Sequence, residues 1–474
     1  MTRELVIEAV ALVILAYTIE YMFSTGDDPR EPPVVRPRIP LVGHILGIMR
    51  GGPTYYSETR IFNYKIYVST SNRLLPMIQK QPKTLSFRPF LQIIARKHGD
   101  ASDETYEIYG GELTHHLSHA SRVSLGPGPH LDEQNLRMGN RVLVEVDALL
   151  DDAETNKPPS VYLLEWTRHL VVQASSCGVY GNHHPLLDPK VQRAFWQWQN
   201  YLTAHLAGLD VFGKGYQLRQ TVYDAYIKYC RELPDDGSQL AREHKRVIRE
   251  AGVNELDYAK QASLFTIAVF SNTAPTLFWT IWELFSRPKV LDQPSKTKCP
   301  VLLSVFQETQ RTRHVNASFR KVMADTVLDG RYLLKAGNFL QMPGHPIHSN
   351  TALWGPDAAE FDPHRFVSDG EKGSPAAVPS TGFVAWGSPP YLCPARQFAA
   401  AEVLIATVLL VVRTDLRPQS GVWDPSPSLN YRDLSTLLNP TKDVRIDVMA
   451  RDQWAGTWSL EMGGSRSRVP LASG

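Results

Sequence analysis

The chain has 474 residues, a net charge of +2, 43% hydrophobic residues and 21% charged residues. That length supports a large core, and ordinary globular composition excludes a disordered or fibrous chain. The near-neutral balance gives no electrostatic footprint for nucleic acid. Four cysteines, Cys177, Cys230, Cys299 and Cys393, lie far apart. They suit a reducing compartment and exclude a disulfide framework. The sequence contains no internal repeat and no long low-complexity tract.

Residues 1–25 read as a membrane anchor. Leu5 to Phe23 is mostly apolar, interrupted by Glu8 and Glu20. The unbroken apolar run is shorter than the ~20 residues of an upright span, so a tilted single span is expected. A secretory signal fits less well, because Glu4 and Glu8 crowd Arg3 and no small-x-small cleavage site follows. Residues 26–43 form a hinge whose prolines, up to Pro40, forbid helix and stiffen the chain. Arg30, Arg36 and Arg38 place that side toward the cytosol.

Residues 44–474 form the remaining domain. Ile61 to Val68 reads as strand, Asn72 to Gln81 as helix, and Phe87 to Thr114 shows no clear period. Two Gly-Pro pairs lead into a helix over Leu131–Leu149 carrying Arg137 and Arg141, with His130 just before it. Apolar recurrence predicts further helices over Val161–Ser176, Val191–Leu209 and Gly215–Arg231. The second carries an aromatic stripe of Phe195, Trp196, Trp198 and Tyr201, which reads as core.

Asp257 to Phe285 is a long apolar helix with Ser271-Asn272-Thr273-Ala274-Pro275 at its centre. A proline there removes a hydrogen bond and opens the preceding turn. On the next helix Glu308 and Arg311 stand three apart on one face and can pair. Because that segment is apolar, a buried pair requires a third partner. Val322 to Met342 alternates around Asp329-Gly330, a hairpin signal. Glu371–Ser380 reads as loop, and the tail beyond Arg413 as short strands and a loose terminus.

Trp386-Gly-Ser-Pro-Pro-Tyr-Leu-Cys393-Pro-Ala-Arg396 delivers one cysteine to the start of an apolar helix over Ala395–Leu410. Free N–H groups at a helix N-terminus favour a thiolate, which is a ligand for soft or borderline metals including haem iron. Cys393 has no CxxC partner and no histidine at zinc spacing.

These stretches resemble the cytochrome P-450 family. The cysteine loop matches at Trp386, Cys393, Ala395 and Arg396, and departs at Pro389 and Tyr391, where the family has glycine and a basic residue. Phe361-Asp-Pro363-His-Arg365-Phe366 matches the segment whose arginine completes the pair in this family. Asn272-Thr273-Ala-Pro275-Thr-Leu-Phe278-Trp279 is similar to the branch of sterol 7α-hydroxylase and prostacyclin synthase. The resemblance also extends to filamentous-fungal members acting on terpenoid, steroid-like or polyketide products.

The resemblance implies a mainly α (α+β) fold, a helical prism with small β-sheets enclosing haem b. It implies haem-thiolate monooxygenation of a lipophilic small molecule with dioxygen. Cys393 is then the axial iron ligand, Trp386 and Arg396 flank it, and Arg320 binds a propionate. Asn272, Thr273 and Ser271 position water for proton delivery. Glu308, Arg311 and Arg365 form a structural network, and one of His130, Arg137 and Arg141 contacts the cofactor. Electrons come from an NADPH–cytochrome reductase docking near Arg396, with the protein single-pass in the endoplasmic reticulum and its catalytic domain in the cytosol. No nucleic-acid partner is expected.

Two alternatives stand beside this. Asn272 in the threonine place suits a same-fold isomerase or dehydratase acting on a peroxide without a reductase. The interval between Pro288 and Glu308 is shorter than the family's by a helix or two, which suits a degenerate chain.

Overall fold

The computed structural model describes residues 18, 28–33, 60–61, 64–151, 159–232, 236–291, 300–315, 317–367, 381–431, 435–451, 456–461 and 468–472. Apart from Thr18, the expected anchor at Leu5–Phe23 lies outside these residues, as do most of the hinge and the loop at Glu371–Ser380.

Strands β1 (Arg60–Ile61) and β2 (Tyr64–Val68) precede α1 (Leu75–Gln79) and β3 (Leu85–Ser86). Helices α2 (Arg88–Lys97), α3 (Asp103–Gly110) and α4 (Leu113–Ser124) occupy the stretch in which no period was legible. They are short, and one of their caps is set from far away. Ser102 caps α3 by accepting from Thr105 N, and its own hydroxyl donates to Asp257 at 2.6 Å. Then come α5 (Pro129–Asp151), β4 (Ser160–Tyr162) and α6 (Leu163–Tyr180). The carboxylate of Asp443 caps α6 by accepting from Leu164 N at 2.8 Å and Glu165 N at 2.9 Å.

The single helix expected over Val191–Leu209 is instead two, α7 (Pro189–Gln199) and α8 (Leu202–Ala207), followed by α9 (Lys214–Glu232). Gly208, at φ 70°, ends α8 in the left-handed conformation that glycine adopts without strain. Helix α10 (Gln239–Glu250) leads to the long helix, which breaks at Ser271–Asn272 into α11 (Glu255–Phe270) and α12 (Thr273–Phe285). The break falls in the turn before Pro275, as expected. Two threonines satisfy carbonyls there, Thr273 Oγ1 donating to Val269 O at 2.9 Å and Thr276 Oγ1 to Asn272 O at 2.6 Å. The segment Glu255–Phe285 is long and apolar enough to cross a bilayer, but about two-thirds of its apolar window is buried, as in a core helix.

The second half contains α13 (Pro288–Leu291), α14 (Pro300–Arg313), β5 (Ala317–Val322), β6 (Thr326–Leu328), β7 (Tyr332–Leu334) and β8 (Phe339–Pro343). It ends with α15 (Gly344–His348), α16 (Thr351–Trp354), α17 (Arg396–Arg413), β9 (Thr414–Pro418) and β10 (Arg445–Ala450). The fold is thus mostly helical with small sheets. The largest sheet runs β1-β2-β8-β5-β3, with β2 and β8 parallel. Its edge receives the described part of the hinge, where Glu31 meets Lys65 Nζ at 2.7 Å and Tyr67 OH at 2.6 Å. Strands β4-β10-β9 form a second sheet, and β6–β7 a hairpin. The hairpin turns through Asp329 and Gly330, at φ 57° and 64°, as its sequence predicts.

Helices α5, α6, α11, α12, α14 and α17 share one core, in which Trp198, Phe270, Phe278, Trp279 and Phe306 are fully buried. Among the described residues two carboxylates, Glu308 and Glu402, are fully buried, and each is satisfied differently. Glu308 is fully buried and accepts from Arg311 Nε and Nη2, both at 2.7 Å, from Arg365 Nε at 3.1 Å and from Asp362 N at 3.0 Å. Arg311 also donates to the carbonyls of His348, Ala358 and Glu360. The expected three-residue network therefore forms and ties α14 to the loops that follow α15 and α16. Glu402 on α17 meets no cation among the described residues. It accepts from Ser175 Oγ of α6 at 2.7 Å, and burial pushes its carboxyl up to about 8.

Two outcomes follow. Glu308→Ala leaves Arg311 and Arg365 charged without their carboxylate, so denaturant unfolding should show a loss of about 3–5 kcal/mol. Glu402 is protonated in the fold and ionised in the unfolded chain between its ordinary value of 4.5 and about 8, so stability falls as pH rises through that window. In Glu402→Gln that slope should vanish, as read from unfolding midpoints between pH 5 and 8.

Candidate active site

The cysteine loop is a closed turn before it is a site. Cys393 N donates to Trp386 O at 2.9 Å and Gly387 N to Val384 O at 2.9 Å. Gly387 sits at φ 80°, and a Cβ there would come within 2.9 Å of Tyr391 O, so the turn requires glycine. The turn ends where α17 begins. Cys393 is half-buried, unlike Cys177 and Cys230, and none of the three forms a disulfide. Burial pushes its thiol up, while the Ala395 N–H and the charge of Arg396 pull it down. The sequence reading counted only the helix terminus, and desolvation outweighs it in the isolated chain. Arg396 is the first residue of α17 and donates to Cys393 O at 3.2 Å, next to the thiol as expected.

Across from the loop stands Arg320 on β5. It is 3% exposed, and among the described residues no carboxylate answers it. Its guanidinium donates to Phe319 O at 2.7 Å and to Ser388 Oγ at 3.4 Å, and lies 4.6 Å from the centre of the Tyr391 ring. Desolvation pushes it down to about 10. Tyr391, one of the two departures in the loop motif, is held by its hydroxyl to Pro82 O at 3.2 Å and by a tilted contact with Phe87. It therefore acts as a platform for Arg320. That role was invisible in a motif that normally has a base there. Trp386 packs 6.4 Å from Phe306, and its indole N–H is buried without a partner.

The kinked helix is tied to the segment between α14 and β5. Thr436 N donates to Asn272 Oδ1 at 2.9 Å, and Val315 N to Thr436 O at 2.9 Å, so Asn272 is fixed to the strand-like segment leaving α14. Gln199 Nε2 of α7 donates to Ser271 Oγ at 2.8 Å. The hydroxyl proton of Thr273 is committed to Val269 O. Of the three residues expected to carry protons, Thr273 thus also serves the kink itself. Nothing in sequence spacing points to Gln199 or Thr436. The candidates on α5 are differently occupied: Arg141 pairs with Glu145 at 2.6 Å and Arg137 with Glu133 at 3.4 Å, and His130 is exposed.

An iron porphyrin fits these residues on two counts. Among the described residues no group of three or more His, Cys, Asp or Glu could hold a metal ion. A metal on Cys393 therefore needs its remaining ligands from a cofactor. The buried Arg320 requires an anion, and a porphyrin carboxylate is one.

The comparisons with known proteins agree with this geometry. The family model described as Cytochrome P450 matches residues 232–445, which include the kinked helix, the Glu308 network and the cysteine loop. The chain is 28% identical to "Cytochrome P450 monooxygenase nodJ" of Hypoxylon pulicicidum over 99% of both chains. It is 24% identical to a cytochrome P450 monooxygenase of Gibberella zeae, covering 97% of this chain and 96% of that one. It is 26% identical to human 24-hydroxycholesterol 7-alpha-hydroxylase over 48% of this chain and 50% of that one. With a cysteine at the head of α17, a buried Arg320 that no described carboxylate meets and full-length similarity to two fungal members, the chain is similar to cytochrome P450 monooxygenases, and its residues 232–445 match that family's model.

Proposed function

We propose that the protein oxidises a lipophilic small molecule in fungal secondary metabolism, using haem b bound through Cys393. The carrying observation is that a single loop presents one thiol and contacts one buried arginine that no described carboxylate meets. Cys393 would supply the thiolate ligand and Arg320 the cation for a propionate. The Tyr391 ring supports the Arg320 guanidinium, and Arg396 keeps positive charge beside the sulfur. When bound, a haem-thiolate supplies the activation and cleavage of dioxygen.

The residues of the kink would do the proton work. Asn272, fixed through Oδ1 by Thr436, keeps its amide N–H groups as donors. Ser271, accepting from Gln199, keeps its own hydroxyl proton to give. Thr273 can accept while its proton stays on Val269 O. These groups would order water and pass protons into the site. Phe90 lies against Phe319 and Phe339 at 5.6 and 5.4 Å, which suits an apolar substrate on that side. The similarity to fungal monooxygenases supports the pathway class. A flavoprotein reductase using NADPH would supply electrons.

A membrane location has support beyond the N-terminal apolar stretch. Between α8 and α9, Leu209, Val211 and Phe212 are exposed by 67%, 82% and 85%, an apolar loop tip suited to a lipid surface. We place the protein as single-pass in the endoplasmic reticulum with its catalytic domain in the cytosol.

Purified protein, reduced and exposed to carbon monoxide, should show the red-shifted Soret band of thiolate ligation. Product formation should then require both NADPH and reductase. Turnover without either would replace monooxygenation with rearrangement of a peroxide substrate. Arg320→Met should speed haem loss to an apo-globin acceptor by about 10- to 100-fold, the worth of one charge-assisted contact. Arg320→Lys should recover part of it.

A further inference from the structure

A hydrogen-bond chain ties α5, α6 and the start of α7 together, and the groups at its ends fix the role of every atom between them. Arg141 of α5 can only donate, and the carbonyl of Leu186, between α6 and α7, can only accept. Arg141 Nη2 donates to Gln173 Oε1 of α6 at 3.2 Å, and Gln173 Nε2 donates to Leu186 O at 2.9 Å. The amide of Gln173 is thereby oriented, and its second hydrogen goes to Gln192 Oε1 of α7 at 3.3 Å. That same oxygen faces His169 Nδ1 of α6 at 3.2 Å. The other ring nitrogen, Nε2, lies 3.0 Å from Glu145 Oε2, and Arg141 Nε donates to the second oxygen of that carboxylate at 2.7 Å.

His169 thus has an acceptor at each ring nitrogen, so both nitrogens carry hydrogen and the ring is an imidazolium. Burial pushes Glu145 up, but its bonds to His169 and Arg141 bring it below its ordinary value, so it remains a carboxylate. Glu145 and Arg141 are the charged groups that act on His169 from α5, and α7 offers it the uncharged Gln192. His184, on the connection between α6 and α7, stays neutral, because burial pushes its imidazole down to about 3. The bond and charge of Glu145 raise His169 above its ordinary 6.5, against desolvation and Arg141. Once the proton is lost, Glu145 keeps the remaining N–H, and the bare Nδ1 faces Gln192 Oε1. Gln192 cannot turn its amide to answer, because its NH2 would then meet that of Gln173.

We propose that His169 is a positioning residue: as an imidazolium it fastens the start of α7 to α5 and α6, and loss of its proton releases that end of the helix. Further along α7, Phe195 packs edge-on against Phe270 at 5.3 Å, and Gln199 donates to Ser271 Oγ at 2.8 Å. The same helix therefore runs from the titrating ring to the break in the long helix. Holding α7 keeps Gln199 on Ser271, one of the groups given the proton work, and that consequence rests on the haem-thiolate reading above. The sign follows from the raised value. The fastening is complete at and below pH 6.5, and it is lost as pH rises through the raised value.

The test uses full-length haem-loaded protein carrying isotope-labelled histidine for nitrogen NMR, with the His169 signals assigned by their absence in His169→Gln. At about pH 6 both ring nitrogens of His169 should read as protonated, and Nδ1 should lose its proton at a midpoint above that of an unpaired histidine. Hydrogen exchange is then followed from about pH 6 to about pH 9, corrected for intrinsic exchange. Helix α9 is the reference, because Glu402 lowers the stability of the whole fold over part of that range. Protection of Lys190 to Gln199 should fall relative to α9 by about threefold to tenfold as His169 titrates, the worth of one net hydrogen bond. In His169→Gln and Gln192→Leu that fall should be absent, and Gln192→Leu serves where the histidine variant fails to fold. A neutral His169 at about pH 6, or the same pH dependence of α7 in wild type and variants, overturns the proposal. Absence of the carbon-monoxide band overturns the haem reading, and the titration and exchange still decide the hold on α7.

Discussion

Arg320 is a full positive charge buried in the fold, no carboxylate among the described residues meets it, and the active site is arranged around that imbalance. Burying an ion without a partner costs several kcal/mol, so such an arrangement persists where something else supplies the counter-charge. The Tyr391 ring and two polar oxygens hold the guanidinium in place but do not neutralise it. The same loop presents Cys393, a soft ligand that no group of described residues joins in a coordination shell. A single cofactor with a metal at its centre and carboxylates at its rim answers both needs.

The rest of the molecule holds these two residues in place. Cys393 is fixed by the turn from Trp386 and by the start of α17, and α17 is fixed in the core against α5, α6 and α12. Arg320 is fixed by β5, whose register against β8 pairs it with Leu340. The Glu308 network joins the two halves. It anchors α14, which leads directly into β5, to the loops after α15 and α16 that lead toward the cysteine turn. The break at Ser271–Asn272 sets polar side chains within the long helix, and Thr273 and Thr276 donate to the carbonyls of Val269 and Asn272 beside it.

Much of this was legible because it depends on local chemistry. Proline marks the kink, Asp329-Gly330 marks the hairpin, and a glutamate three before an arginine marks a pair. The cysteine and its helix are contiguous. The third member of the Glu308 network and the role of Arg320 came only with the family resemblance, since residues far apart in sequence had to meet. What stayed hidden was set by tertiary contacts. The short helices α2, α3 and α4 give no long period, and one cap is completed by Asp257 far along the chain. The split between α7 and α8 leaves apolar recurrence intact across it. Glu402 lies in the cysteine helix, but its neutral state follows from burial, which spacing does not report. Tyr391 breaks the motif and is nonetheless accounted for by the guanidinium above it.

The most direct measurement is X-ray absorption at the iron edge of the purified, haem-loaded protein. A single sulfur scatterer in the first shell, beside porphyrin nitrogens, is the predicted result, and it should disappear in Cys393→Ser. A first shell of nitrogen and oxygen alone in the wild type, or a sulfur signal that survives the substitution, would contradict the account.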